Sequence, residues 1–250
     1  MGDLLKLLRP KYTPVAIYHT KEFPSYASKP SEEHCVVASM FVPAWENGRT
    51  VAMSVDLVGC AGALNGLGLG GESPENRIKL IAGYAQGTED RPGRHIFCCS
   101  EAGKEAYLDK VLVYGSRDDI VVVQPVDEAE DMDAPIEVVS FLVDAIELSA
   151  LVTLSSFDGL KGDSVIRSSF ALSCEQLFAM PRQEGDSKEP RMVLGMTEFF
   201  PRRFLDDGRV SVSMPYCLYK RMDENASKSF LNDDRWRQAA QPKKCDDCCC

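Results

Sequence analysis

The residues best equipped for chemistry in this sequence are its cysteines. Four thiols fall within the last six residues, Cys245-Asp246-Asp247-Cys248-Cys249-Cys250, just after Lys243 and Lys244. A C-x-x-C spacing lets two thiolates reach one metal, and soft thiolates select zinc, copper(I) or an iron–sulfur cluster. The lysines favour thiolate over thiol, while the two aspartates oppose it. Adjacent cysteines do not readily aim at one ion, so a complete site needs thiols from the body. Cys60, Cys98, Cys99, Cys174 and Cys217 are available. Without such partners the tail reads as a redox-labile terminus. It is not a prenylation box, because Asp247 stands where that motif needs Cys.

Three further constellations carry weaker signals. His95-x-x-Cys98-Cys99 has a spacing suited to a metal or to a thiol beside a base. On a strand, however, His95 and Cys98 point to opposite faces. His34-Cys35 lies in an apolar helical stretch where sequence neighbours diverge, so Cys35 reads as packing. Gly66-Leu67-Gly68-Leu69-Gly70-Gly71 satisfies G-x-G-x-x-G, but it neither follows a strand directly nor opens a helix. It supports a more modest expectation. Gly68, Gly70 and Gly71, followed by the helix cap Ser73 with Arg77 one turn inside, could hold an anionic ligand, with Cys60 as a nucleophile. The sequence has no Ser-His-Asp arrangement, no H-E-x-x-H and no P-loop, and its three histidines leave little for His-based metal chemistry.

The 250 residues suffice for one large domain with a real core. The net charge of −10 and the absence of a basic stripe argue against a nucleic-acid partner, because phosphate neutralisation needs clustered cations. No apolar run approaches the ~18 residues of a membrane span. Met1 to Pro10 is too short and interrupted for a signal peptide, and Lys6 spoils a myristoylation site. Ten cysteines in a chain with no export signal read as reduced thiols, so the expected location is cytoplasmic.

These thiols must be positioned by a body over residues 1–237, with residues 238–250 as tail. Strands are predicted over 13–18, 50–57, 95–99, 119–124 and 210–214. Helices are predicted over 32–45, from Ser73 to Tyr84, from Glu101, over 135–148 and 164–180, from Pro215 to Met222 and over 224–231. Residues 60–71 read as a glycine-rich connection and 126–134 as an acidic loop. The pattern defines an α/β or α+β class, a mixed sheet flanked by helices. An internal repeat adds to it. At an offset of 114, Cys60, Gly71, Ser73, Glu75 and Arg77 meet Cys174, Gly185, Ser187, Glu189 and Arg191. Two pseudo-repeated halves, 10–118 and 119–231, would place Cys60 and Cys174 in equivalent loops facing one cleft.

The order of landmarks resembles a known family. Thr13-Pro14-Val15-Ala16-Ile17 opens the body. Cys35, Gly48, Cys60-Ala61-Gly62-Ala63 and Gly66-Leu67-Gly68 follow, and then Ala171-Leu172-Ser173-Cys174 and Ser211 to Tyr216. Over Leu5 to Leu231 this is similar to the family named domain of unknown function 169, found in anaerobic bacteria and archaea. The resemblance implies a cytoplasmic, anaerobic setting without naming a reaction, and it singles out Cys60 and Cys174. The tail is not part of it. The leading expectation is therefore a thiolate metal-site protein, with an iron–sulfur cluster first and zinc second. Its ligands would come from Cys60, Cys98, Cys99, Cys174, Cys245, Cys248, Cys249 and Cys250, and its role would be redox or metal handling, with a redox partner protein. A metal-free binder or enzyme acting on an anionic ligand is the alternative. A scaffold or homo-oligomer, with cysteines as fillers, is the third. Whether the chain is an enzyme is left open.

Overall fold

Four six-residue runs rich in β-branched and apolar side chains build the centre of the molecule: Val15–Thr20 (β1), Ile120–Pro125 (β5), Val138–Val143 (β6) and Val210–Pro215 (β9). In the computed structural model, which describes residues 2–33, 35–58, 60–69, 87–88, 91–92, 119–159, 164–206 and 208–240, these runs form one sheet with Val51–Ser54 (β2), Ile166–Arg167 (β7) and Met192–Gly195 (β8). The strand order is β2-β5-β1-β6-β9-β8-β7, with β7 parallel to β8 and the remaining neighbours antiparallel. Gly87–Thr88 (β3) and Arg91–Pro92 (β4) pair separately. The molecule is thus a mixed-sheet α/β protein.

The sheet contains an internal two-fold. The six pairs from Val15–Pro125 to Thr20–Ile120 recur as Val138–Pro215 to Val143–Val210. Across the centre, Val15 faces Ser140, Ala16 faces Val139 and Ile17 faces Val138. If Val15, Ala16 and Ile17 are taken as counterparts of Val138, Val139 and Ser140, this pairing maps onto itself. The order β2-β5-β1 is then mirrored by β8-β9-β6. The two-fold groups β5 with β1, so it falls between β5 and β6 rather than at residue 118.

Both halves also carry the same unusual helix. Val37–Phe41 (π1) is a wide π-turn running into Val42–Asn47 (α2), and Glu175–Ala179 (π2) runs likewise into Met180–Glu184 (α6). Pro43 and Pro181 occupy the second position of the following helix. Proline has no N–H and its ring crowds the carbonyl four residues back. The wide turn relieves that clash: Val42 bonds back to Val37 O and Met180 to Glu175 O, each five residues earlier.

Alternation along the strands separates two apolar layers. Val15, Ile17, Val121, Val123, Val138 and Leu142 pack against π1, α2, π2 and Ala61–Gly66 (α3), with Trp45, Phe41 and Phe178 fully buried there. Ala16, Tyr18, Val122, Val139, Phe141 and Val212 face the opposite layer. That layer comprises Asp3–Leu8 (α1), Val126–Asp131 (α4), Ala145–Ser155 (α5), Tyr216–Ala226 (α7) and Trp236 of Asp234–Ala239 (α8).

Several local expectations change. Residues 135–148 form a strand and then a helix. Val138–Val143 is buried on both faces, and Asp144 starts the helix with a capping box in which Ile146 and Glu147 donate to Asp144 Oδ1 while Asp144 N donates to Glu147 Oε2. The acidic segment after Pro125 is helix α4, because Val126 and Ala129 bury one side while Asp127 and Glu128 sit favourably in its first turn. Residues 164–180 hold β7 and then π2, and the glycine-rich connection contains α3. Tyr216–Ala226 is one helix, followed by a 3-10 turn at Phe230–Asn232. The predicted elements over 73–84, 95–99 and from Glu101 lie outside the described residues.

Candidate thiol site

Three thiols from three segments lie in the first of these layers. Cys35 precedes π1, Cys60 caps the start of α3 and Cys174 caps the start of π2. Glycine brings the last two together. A Cβ on Gly66 would lie 2.6 Å from the carbonyl carbon and Cβ of Cys174, and one on Gly62 would lie 3.3 Å from Leu172 Cδ1. The helix therefore docks backbone to backbone on the turn that begins at Cys174. Gly68, with φ of 70°, is similarly closed in, with Phe178 and His19 at 3.2 and 3.3 Å from where its Cβ would stand.

Electrostatics ties the cluster together. Burial pushes the Cys60 thiol up; the Gly62 and Ala63 amides pull it back in part, and Glu198 pushes it further up. Burial likewise raises Cys35, against the pull of the Ala38 and Val37 amides, with Cys60 and Glu198 adding to the rise. Cys174, the most buried of the three, is pushed well up by burial and then by Cys60, Cys35, Glu198 and Glu175. Each thiolate would thus form against the charge of Glu198, and that of Cys174 against Glu175 and the other two thiols as well. Protonated thiols are the resting state, and a soft cation is the agent that would reverse this.

The carboxylates are themselves built in. Glu175 and Glu198 are buried. Glu175 accepts from Asn65 Nδ2 at 3.0 Å and from Leu172 N at 3.1 Å, and Glu198 accepts from Ser173 N at 2.9 Å. Asn65 Oδ1 and Ser173 Oγ are buried with no hydrogen-bond partner among the described residues. Nearby, His19 links the glycine segment to the sheet. Its Nε2 meets Leu67 O at 2.8 Å, its Nδ1 meets Glu137 Oε1 at 2.7 Å, and Arg182 Nε donates to Glu137 Oε2 at 3.2 Å.

Of the residues expected from sequence to ligate metal, the structure brings Cys60 and Cys174 together and adds Cys35, which had read as packing. The two-fold relates the segment after Cys35, not that after Cys60, to the segment after Cys174. The signal for Cys35 was present in the shared pattern of a Cys, a helix, a Pro and a terminal Gly at Cys35-Pro43-Gly48 and Cys174-Pro181-Gly185. Cys98, Cys99, Cys245, Cys248, Cys249, Cys250, Gly70, Gly71, Ser73 and Arg77 lie outside the described residues. Cys217 is exposed and apart from the cluster, at the start of α7 in the other layer. Among the described residues no group of three or more His, Cys, Asp or Glu side chains is arranged to hold a metal ion. The body thiols as placed do not close a coordination sphere by themselves.

A two-fold mixed-sheet α/β body with three thiols in one apolar layer defines the class. The chain belongs to the family DUF169, described as uncharacterised ArCR, whose model it matches over residues 3–225. No curated protein and no solved structure matches it. Among the described residues no helix is long and apolar enough to cross a membrane.

Proposed function

We propose that this chain is a thiolate metal-site protein, with an iron–sulfur cluster as the first guest and zinc as the second, serving redox or metal handling in anaerobic metabolism. The observation that carries the proposal is that Cys35, Cys60 and Cys174, from three separate segments, share one apolar layer within the electrostatic reach of Glu198. Three thiols, Cys174 buried and Cys35 and Cys60 half-buried, are a soft donor set. They hold their protons in each other's company, and a bound cation would displace those protons. Cys98, Cys99 and the tail thiols Cys245, Cys248, Cys249 and Cys250 are the further donors the site needs.

The tail's starting point constrains how it would take part. Trp236 packs in the layer with Leu4 and Phe141, and its Nε1 donates to Leu7 O at 3.4 Å, whereas Cys174 packs across the sheet with Ile17 and Val138. Residues 241–250 span at most ~35 Å when fully extended, and a tail reaching the cluster within its own chain must pass round the sheet. A cluster shared between two chains has no such demand.

The test is anaerobic purification with iron, sulfide and zinc measured per chain, repeated for Cys35→Ser, Cys60→Ser and Cys174→Ser. The expected result is stoichiometric metal that each substitution lowers. A colourless, metal-free protein in which all ten thiols titrate would overturn the proposal.

A further inference from the structure

On the layer away from the thiols, a cleft of about 480 Å³ opens where the end of α5, the middle of α7 and the approach to β8 meet. Its lining includes Arg191, Arg221, Ser155, Ser187, Val165 and Pro190. The volume falls within the ~300–1,000 Å³ range of small-molecule sites.

Both arginines are held in place from behind. Arg191 grips the buried carboxylate of Glu184 with Nε at 3.1 Å and Nη2 at 2.9 Å, while Arg167 holds the same carboxylate at 3.3 Å. Arg221 Nε pairs with Asp158 at 3.3 Å. Nη1 of Arg191 and both terminal nitrogens of Arg221 make no hydrogen bond within the described residues. Two guanidiniums from different elements, fixed through one edge and with donors to spare, suit an anion whose oxygens point several ways.

We infer that this cleft binds a phosphate group, free or carried on a small organic molecule. A tetrahedral oxyanion has acceptors for both guanidiniums that line the cleft. Val165 and Pro190 give an apolar wall for an organic remainder, and the cleft is larger than phosphate alone requires. Glu189 also lines it and sets a second, opposite test. As a carboxylate it opposes an anionic guest, so neutralising it should tighten binding.

The experiment titrates the full chain with inorganic phosphate and with glycerol phosphate at constant ionic strength, following the arginine Nε–H resonances. Saturable shifts of Arg191 and Arg221 are expected. Arg221→Gln should weaken binding at least ~10-fold, the worth of one charge-assisted hydrogen bond, and Glu189→Gln should strengthen it. Arg191 is left intact because its loss would remove two hydrogen bonds from buried Glu184. A lower midpoint for glycerol phosphate assigns the esterified form, and equal midpoints assign the free ion. Shifts that never saturate, or saturation unchanged in both variants, would overturn the inference.

Discussion

Replacing Gly66 by alanine tests how the thiol cluster is assembled. The new Cβ would stand 2.6 Å from Cys174 C and Cβ and from Glu175 N, where carbon contacts prefer ~3.5–4.0 Å. These are backbone and Cβ atoms of a buried turn, so no side chain can swing aside. Helix α3 must instead back away from π2 by about 1 Å. Overpacking of this kind costs ~1–3 kcal/mol, and alanine in place of glycine in a helix returns up to ~1 kcal/mol. The net loss is ~0–3 kcal/mol, and its midpoint of about 1.5 kcal/mol corresponds to ~3–6 °C in Tm for a chain of this size. Gly159→Ala is the control, since nothing lies within 4 Å of its Cβ position. Thermal unfolding under reducing conditions reads the stability, and the rate of Cys174 alkylation reads the separation of α3 from π2. A Gly66→Ala protein that melts with the parent and shields Cys174, 6% exposed, equally well would refute the docking argument.

Three other outcomes follow from particular contacts. Asp144→Ala removes the capping box of α5 and should cost ~1 kcal/mol in urea unfolding; an unchanged midpoint would show the cap to be dispensable. For Glu184, burial pushes the carboxyl up, but Arg191 and Arg167 outweigh that and leave it below its usual 4.5. Its contribution is therefore full above the unfolded value and is lost as pH falls through the folded one. Glu184→Gln should flatten the acid limb of stability, and parallel stability–pH curves would contradict this. Replacing Cys245, Cys248, Cys249 and Cys250 by Ser should lower metal content while shifting the stability of the metal-free body by no more than ~0.5 kcal/mol; metal content equal to the parent's would remove the tail from the site.

Much of the frame was legible where chemistry is local. The runs at Val15, Ile120 and Val210 read as strands because branched, apolar side chains admit little else. The stretch from Val138 misled because a strand buried on both faces has no period of two, and its apolar residues pass for a helix face. The acidic run after Pro125 misled in the opposite sense: its charges hid the burial of Val126 and Ala129. The repeat was visible, but its best matching residues belonged to the wrong pair of segments. The true relation lies in strand register, which leaves almost no trace in residue identity: Val15-Ala16-Ile17 answers to Val138-Val139-Ser140.

By itself the sequence determined the α/β class, the acidic net charge, three of the four central strands and the presence of many thiols, because each follows from composition or from neighbours along the chain. Which thiols meet was decided by the tertiary structure. Cys35, Cys60 and Cys174 are separated by long stretches of chain, and what joins them is the two-fold pairing of the sheet and the close approach of Gly66 to a backbone it does not neighbour. Contacts of that kind depend on packing geometry, which residue types alone do not encode.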